Sequence, residues 1–131
     1  MTGERDLERL LASIEPMLRP GSYVFALLGD EALLDGLAPD ATVREEEGLT
    51  VVLPRERADA LGLPYDYVAA WITLRVHSAL DAVGLTSAVS GALTAAGMSC
   101  NVIAGLHHDH LLVPVERGEE ALLLLRELAR G

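Results

Sequence analysis

Between residues 71 and 115 the chain alternates apolar strand-like runs with one long helical period, and that order restricts the folds open to it. The stretch reads WITLRVHSALDAVGLTSAVSGALTAAGMSCNVIAGLHHDHLLVPV. Trp71, Ile72, Leu74 and Val76 are apolar and largely β-branched or aromatic, which predicts a strand that breaks into a polar loop at His77 and Ser78. Leu85, Val89, Leu93 and Ala96 then recur at helical spacing, and Gly97 stands where a left-handed residue closes a helix. Strands over 98–104 and 109–115 follow, separated by a turn at Gly105, before Gly118 opens a last helix. Strand, helix, strand, strand, helix predicts an α+β sandwich in which an antiparallel sheet carries helices on one face.

The rest of the chain is read in order. Over residues 4–18 a stripe of Leu7, Leu10, Leu11, Ile14, Met17 and Leu18 opposes charges, which predicts an amphipathic helix packed on a sheet and ended by Pro20 and Gly21. Its polar face mixes Arg5 and Arg9 with Glu8 and Glu15, unlike the basic face of a membrane-surface helix. Residues 23–28 predict a buried strand, and residues 31–40 one or two helical turns. Residues 41–53 predict a hairpin that turns at Gly48, with Glu45, Glu46 and Glu47 as a solvated edge rather than a cation site. Pro54 can open a short helix reaching Leu61, and the cluster Gly62, Leu63, Pro64 separates residues 1–64 from residues 65–131.

Composition closes off several classes of function. The 131 residues carry a formal charge of −10, and all ten basic residues are arginine. A nucleic-acid partner is excluded by that charge and by the lack of a basic cluster. The absence of lysine excludes Schiff-base chemistry and a phosphate-loop lysine. No apolar run approaches the roughly 18 residues that cross a bilayer, and the start MTGERDLERL lacks the apolar core of a signal peptide, so a cytoplasmic protein is expected. A hydrophobic content of 50% is high for a monomer and points to a homodimer. Cys100, the single cysteine, lies in an apolar strand and is expected to be an inert thiol.

The segments EGLTVVL at 47–53, WITLRVHSALDAVGLTSAVS at 71–90 and CNVIAGLHHDHLLVPV at 100–115 carry a resemblance. They resemble the ACT domain, a small amino-acid-binding regulatory module, and more closely a bacterial family of stand-alone tandem ACT proteins without an established activity. That family is similar in turn to the paired ACT domains of aspartate kinases. The resemblance implies a ferredoxin-like α/β fold of two ACT-type units. Residues 65–131 show one strand too few for such a unit, and the resemblance to aspartate kinases implies strand exchange, with residues 23–28 or 67–76 as the lender.

Two constellations are candidates for chemistry. A loop between a strand's end and a helix's start offers free N–H groups and a helix dipole to a carboxylate, which every amino acid carries. Gly84 permits close approach, Thr86 offers a hydroxyl and Asp81 can accept from an ammonium group. The resemblance implies the ligand-binding set Ser78, Ala79, Leu80, Asp81, Val83, Gly84, Leu85 and Thr86, with Asn101 on the neighbouring strand. A Pro-Gly pair common in this loop is replaced by Val83 and Gly84. Alternatively, Ser78 and Asp81 simply cap the helix.

The second constellation is His107, His108, Asp109 and His110, with His77 as a possible fifth member. Imidazole and carboxylate suit zinc and similar ions, but on an extended strand His108 and His110 share one face while Asp109 takes the other. The favoured reading is a strand end or interface without metal, and the resemblance places His108 and His110 in the effector pocket. No nucleophile elbow, phosphate loop or dinucleotide fingerprint is present, so no catalytic residue and no cofactor are assigned. The expectation is a non-catalytic regulatory protein binding an amino acid or related small molecule at a unit or subunit interface. The alternatives are a metal-dependent enzyme using the histidine cluster and a ligand-free oligomerisation scaffold.

Overall fold

The computed structural model describes residues 6–76 and 79–131. The elements are α1 (Leu7–Ala12), β1 (Pro16–Leu18), β2 (Tyr23–Leu28), a 3-10 turn (Glu31–Leu34), β3 (Ala41–Glu45), β4 (Gly48–Pro54), α2 (Arg55–Ala60), β5 (Val68–Leu74), α3 (Leu85–Ala95), β6 (Asn101–Ala104), β7 (Asp109–Pro114), a second 3-10 turn (Val115–Arg117) and α4 (Gly118–Arg130). They fall into two compact units. Unit 1 joins the N-terminal segment up to Pro20 with Ala70–Gly131, and unit 2 is Gly21–Ala69.

Unit 1 is a four-stranded sheet in the order β1-β5-β7-β6. β1 pairs antiparallel with β5, Pro16 opposite Leu74 and Leu18 opposite Ile72. β6 pairs antiparallel with β7, from Asn101 opposite Leu112 to Ala104 opposite Asp109. Because side chains alternate along a strand, Ile72, Leu74, Leu111 and Val113 all point to one face, where they meet Leu10, Ile14, Val89, Leu93 and Leu125 of α1, α3, α4 and the segment after α1. Helices cover that face alone, and each of these fully buried aliphatic side chains contributes on the order of 1.5–3 kcal/mol.

The strand that completes unit 1 is β1, not residues 23–28 or 67–76. The helix expected over 4–18 starts in part outside the described residues and ends at Ala12, with Ser13 as its C-terminal cap. Glu15 precedes a proline, which disfavours the helical region, and it adopts φ +39. The chain then turns and re-enters extended at Pro16. The stripe was right in placing Leu10 and Ile14 in the core; its continuation to Leu18 is carried by a strand instead.

Unit 2 orders its strands β3-β4-β2, and β2 also bonds the first residues of β5, Tyr23 opposite Ala69 and Val24 opposite Val68. Val24, Ala26, Leu28, Val51 and Leu53 form its core with Leu37 and Ala58. The β3–β4 hairpin closes with Glu45 opposite Gly48, leaving Glu46 and Glu47 in the turn. Gly48 has φ +149, and a Cβ there would stand 2.8 Å from the Leu28 carbonyl oxygen, so only glycine fits. The three glutamates are exposed, and Glu45 accepts a hydrogen bond from Thr50.

Candidate functional site

α3 is eleven residues long and begins at Leu85, with Gly84 as its N-cap at φ +102. Among the described residues no side chain caps it. Asp81 therefore does not play the capping role that the sequence allowed it, and among the described residues, which do not include Ser78, the N–H groups of the first turn receive no side-chain acceptor. Two features favour glycine at position 84. Its φ lies in the left-handed region, and a Cβ there would come within 3.1 Å of Leu7 Cδ2, where α1 packs close.

The loop ahead of α3 is open. Ala79 accepts from the Ala82 N–H at 3.0 Å, which makes a turn. Leu80 and Val83 project outward with 68% and 83% exposure, and Asp81 and Thr86 are exposed beside them. His77 and Ser78 lie outside the described residues. The β6–β7 turn reaches the same end of the sheet, since His108 Nδ1 stands 3.4 Å from the Val76 carbonyl oxygen. His108 thus joins the loop end of unit 1, together with Leu106 at the turn, which is 69% exposed. Gly105 donates to the His108 carbonyl at 2.9 Å, and a Cβ at 105 would sit 2.6 Å from that oxygen.

Asn101 stands apart. It pairs with Leu112 at the end of β6 remote from the turn, three residues or about 10 Å of strand from Ala104. The intervening α3 carries the chain about 16 Å away from Gly84 before β6 begins. Within unit 1, Asn101 does not meet the loop.

His110 lies on the helix-free face of the sheet, in a polar cluster that sequence reasoning did not anticipate. Trp71 Nε1–H, a donor only, is directed at both Thr73 Oγ1 (3.1 Å) and His110 Nδ1 (3.3 Å). Thr73 Oγ1 is 3.0 Å from the same Nδ1. Nδ1 is therefore the accepting nitrogen and the imidazole proton resides on Nε2. Arg19 stacks over the Trp71 ring at 4.0 Å from its centroid. Alternation along β5 was the available signal: Thr73, the buried polar residue of that strand, shares a face with Trp71.

Burial lowers the His110 pKa from 6.5, and the charges of Arg19 and His108 act in the same direction, against a smaller opposite effect of Asp109. A histidine whose folded pKa is depressed costs nothing while both states are neutral, and opposes folding once the unfolded chain takes up a proton. Stability is thus expected to be intact above pH 6.5 and to decline below it as pH falls towards the folded pKa. Thermal melts between pH 7.5 and 5 should show a steeper decline for the native chain than for His110→Gln; parallel curves would remove His110 as the cause.

Among the described residues no three His, Cys, Asp or Glu side chains come together as a metal site. His107 and His108 rings are 6.4 Å apart, and His110 Nδ1 is already engaged by Trp71 and Thr73. The Cys100 thiol is half-buried, and burial pushes its pKa up. Among the described residues no helix is long and apolar enough to cross a membrane. Cavities escaped sequence reasoning, and two of them bear on function. One of about 350 Å³ in unit 2 lies between the 3-10 turn and α2, beside Leu33, Leu37, Arg57 and Leu61. The other, about 420 Å³ in unit 1, lies along β1.

Comparison with known proteins gives this geometry a family. Two ACT domain models match, one over residues 2–70 and the other over residues 67–127. A crystal structure from Vibrio cholerae, of a protein of unknown function described as a possible transport protein, is 47% identical over 94% of this chain and 95% of its own, with a TM-score of 0.85. The regulatory subunit of aspartate kinase from Thermus flavus shares the fold at 10% identity, a TM-score of 0.61 and coverage of 86% and 95%. Escherichia coli aspartokinase III, in complex with aspartate and ADP, shares it at 17% identity and a TM-score of 0.65, over 88% of this chain and 33% of that one. No curated protein sequence matches. The mixed α/β architecture, its antiparallel sheet with helices on one face, and two family matches in tandem agree, and the chain belongs to the ACT domain family.

Proposed function

We propose that this chain is a non-catalytic regulatory protein that binds a small molecule, an amino acid, at the loop formed by residues 78–86. In sequence it comprises two ACT-type units, residues 1–64 and 65–131. The observation that carries the reading is the uncapped start of α3 behind an open loop. Free N–H groups at Leu85, Thr86 and Ser87, with the helix dipole behind them, suit a carboxylate. Asp81 then faces the ammonium group, while Leu80 and Val83 close over the side chain and His108 borders the site from the β6–β7 turn. His110 lies on the adjoining sheet face. Asn101 enters such a site only from a second copy of the chain, which fits a homodimer. Aspartokinase III, crystallised with aspartate, offers a ligand of the proposed class.

The rival readings make distinct demands. A ligand-free scaffold calls for a filled, closed loop, which the exposure of Leu80 and Val83 does not match. A metal-dependent enzyme at the histidine cluster calls for ligands beyond those that converge. The cytoplasm, where free amino acids report on metabolism, is the proposed location.

A thermal-shift screen against the twenty amino acids, with and without chelator, tests the proposal. Ligand at about one hundred times its Kd adds roughly 2.7 kcal/mol, which moves the midpoint by about 10 °C. Asp81→Ala is expected to abolish the selective shift and keep the unliganded midpoint. Unchanged affinity in that variant would sink the site, and a midpoint that falls only on chelation would transfer the function to the histidines.

A further inference from the structure

The cavity of about 420 Å³ along β1 is bordered by Arg75, Arg126 and Arg130, with Glu15 as the opposing charge. We propose that it is a second ligand site, selective for a small phosphate monoester with an apolar substituent. Three of the ten arginines of a chain with net charge −10 converge there. The local balance is three cations to one carboxylate, or +2, against an acidic background that would otherwise repel an anion. A phosphate monoester, carrying −1.5 to −2 at neutral pH, matches that balance.

The arginines are placed to be available. Arg44 pairs with Glu31 and Arg117 with Glu120, whereas among the described residues Arg75, Arg126 and Arg130 have no carboxylate partner. Arg126 and Arg130 are four residues apart on α4 and rise from one face of it. Arg75 follows β5, where its N–H donates to the Ile14 carbonyl at 2.8 Å and fixes the backbone. Its Nη2 reaches Met17 Sδ at 3.0 Å, a weak acceptor that orients the guanidinium and leaves most of its donors unused. Guanidinium groups suit phosphate because their planar donors match its oxygens in pairs.

The remaining wall is apolar and small. Ala12, Pro16 and Ala129 leave room beside the arginines for a carbon substituent rather than for solvent alone. Glu15, held at φ +39 between α1 and β1, carries its carboxylate on the same rim. The volume falls within the roughly 300–1,000 Å³ typical of small-molecule sites. None of these residues belongs to the loop proposed for the amino acid, so this site stands or falls separately.

Titration of the full chain with phenyl phosphate and with inorganic phosphate, at ionic strength held constant with sodium chloride, tests the assignment by calorimetry and thermal shift. Phenyl phosphate is expected to bind saturably and more tightly than inorganic phosphate. Arg75→Gln and Arg130→Gln are each expected to weaken it by about tenfold or more, the loss of a charge-assisted hydrogen bond. Both positions are exposed, and melts without ligand verify that the variants fold. Asp81→Ala should leave phenyl phosphate binding unchanged while removing the amino-acid response. The proposal is overturned by a shift that chloride reproduces, by equal affinity for the two phosphates, or by full affinity in the Arg75→Gln, Arg130→Gln double variant.

Discussion

Replacing Trp71 with Ala is expected to cost about 3–5 kcal/mol of stability, the range for truncating a large buried aromatic side chain. Trp71 is the only tryptophan of the chain and is 2% exposed. Its removal empties the space beneath the Arg19 guanidinium and deprives Thr73 and His110 of a shared donor. Trp71→Phe removes the N–H but keeps much of the aromatic surface. A phenyl ring keeps a smaller surface for Arg19 and loses the N–H with part of the buried ring volume. Thr73 Oγ1, 3.0 Å from His110 Nδ1, can still donate to it, so the cost is expected to be smaller, about 1–3 kcal/mol. Urea unfolding followed by far-ultraviolet circular dichroism measures both variants, since the native fluorophore is absent from them. A loss below about 1 kcal/mol for the alanine variant would show that the ring is not packed as described.

Residues 65–131 produced alone are expected to show no cooperative unfolding transition. The two family matches meet near residue 67, but the compact units do not divide there. Without residues 1–20 the fragment lacks Leu10 and Ile14, both fully buried, and the whole of β1 against β5. Two such aliphatic side chains represent about 3–6 kcal/mol, and domains of this kind hold only about 5–15 kcal/mol in all. An exposed edge on β5 adds a template for aggregation. Joining residues 1–20 to 70–131 through a short glycine linker is expected to restore a single transition. A cooperative melt from the fragment without residues 1–20 would refute the dependence.

Local periodicity carried most of the fold. α3 is marked by Leu85, Val89 and Leu93, all buried, and by Gly97 at φ +73 after its end. The hairpin, α2 and α4 were equally legible from Gly48, Pro54 and Gly118. The N-terminal segment was not, because Leu10, Ile14 and Leu18 satisfy a helical stripe and the single Glu15–Pro16 step overrides it. Three-residue strands such as β1 leave almost no period to detect. Of the candidate site, the loop could be placed because it joins a strand to a helix. The Trp71, Thr73, His110 cluster required the pairing of strands 37 or more positions apart, and the arginine cavity required three separate elements to converge.

The placement of unit 2 inside the span of unit 1 also sets an order of events on the ribosome. Unit 2 occupies Gly21–Ala69 and its strands pair within that interval, so it can close as soon as it emerges. Residues 6–20 are translated before unit 2 and find their partners after it, because β5, α3, β7 and α4 are all translated later. At about 5–20 residues per second, Leu10 and Ile14 wait for several seconds with nothing to pack against. A nascent chain of this design therefore carries an unpartnered apolar segment while unit 2 closes, and unit 1 is completed only when its second part has been made.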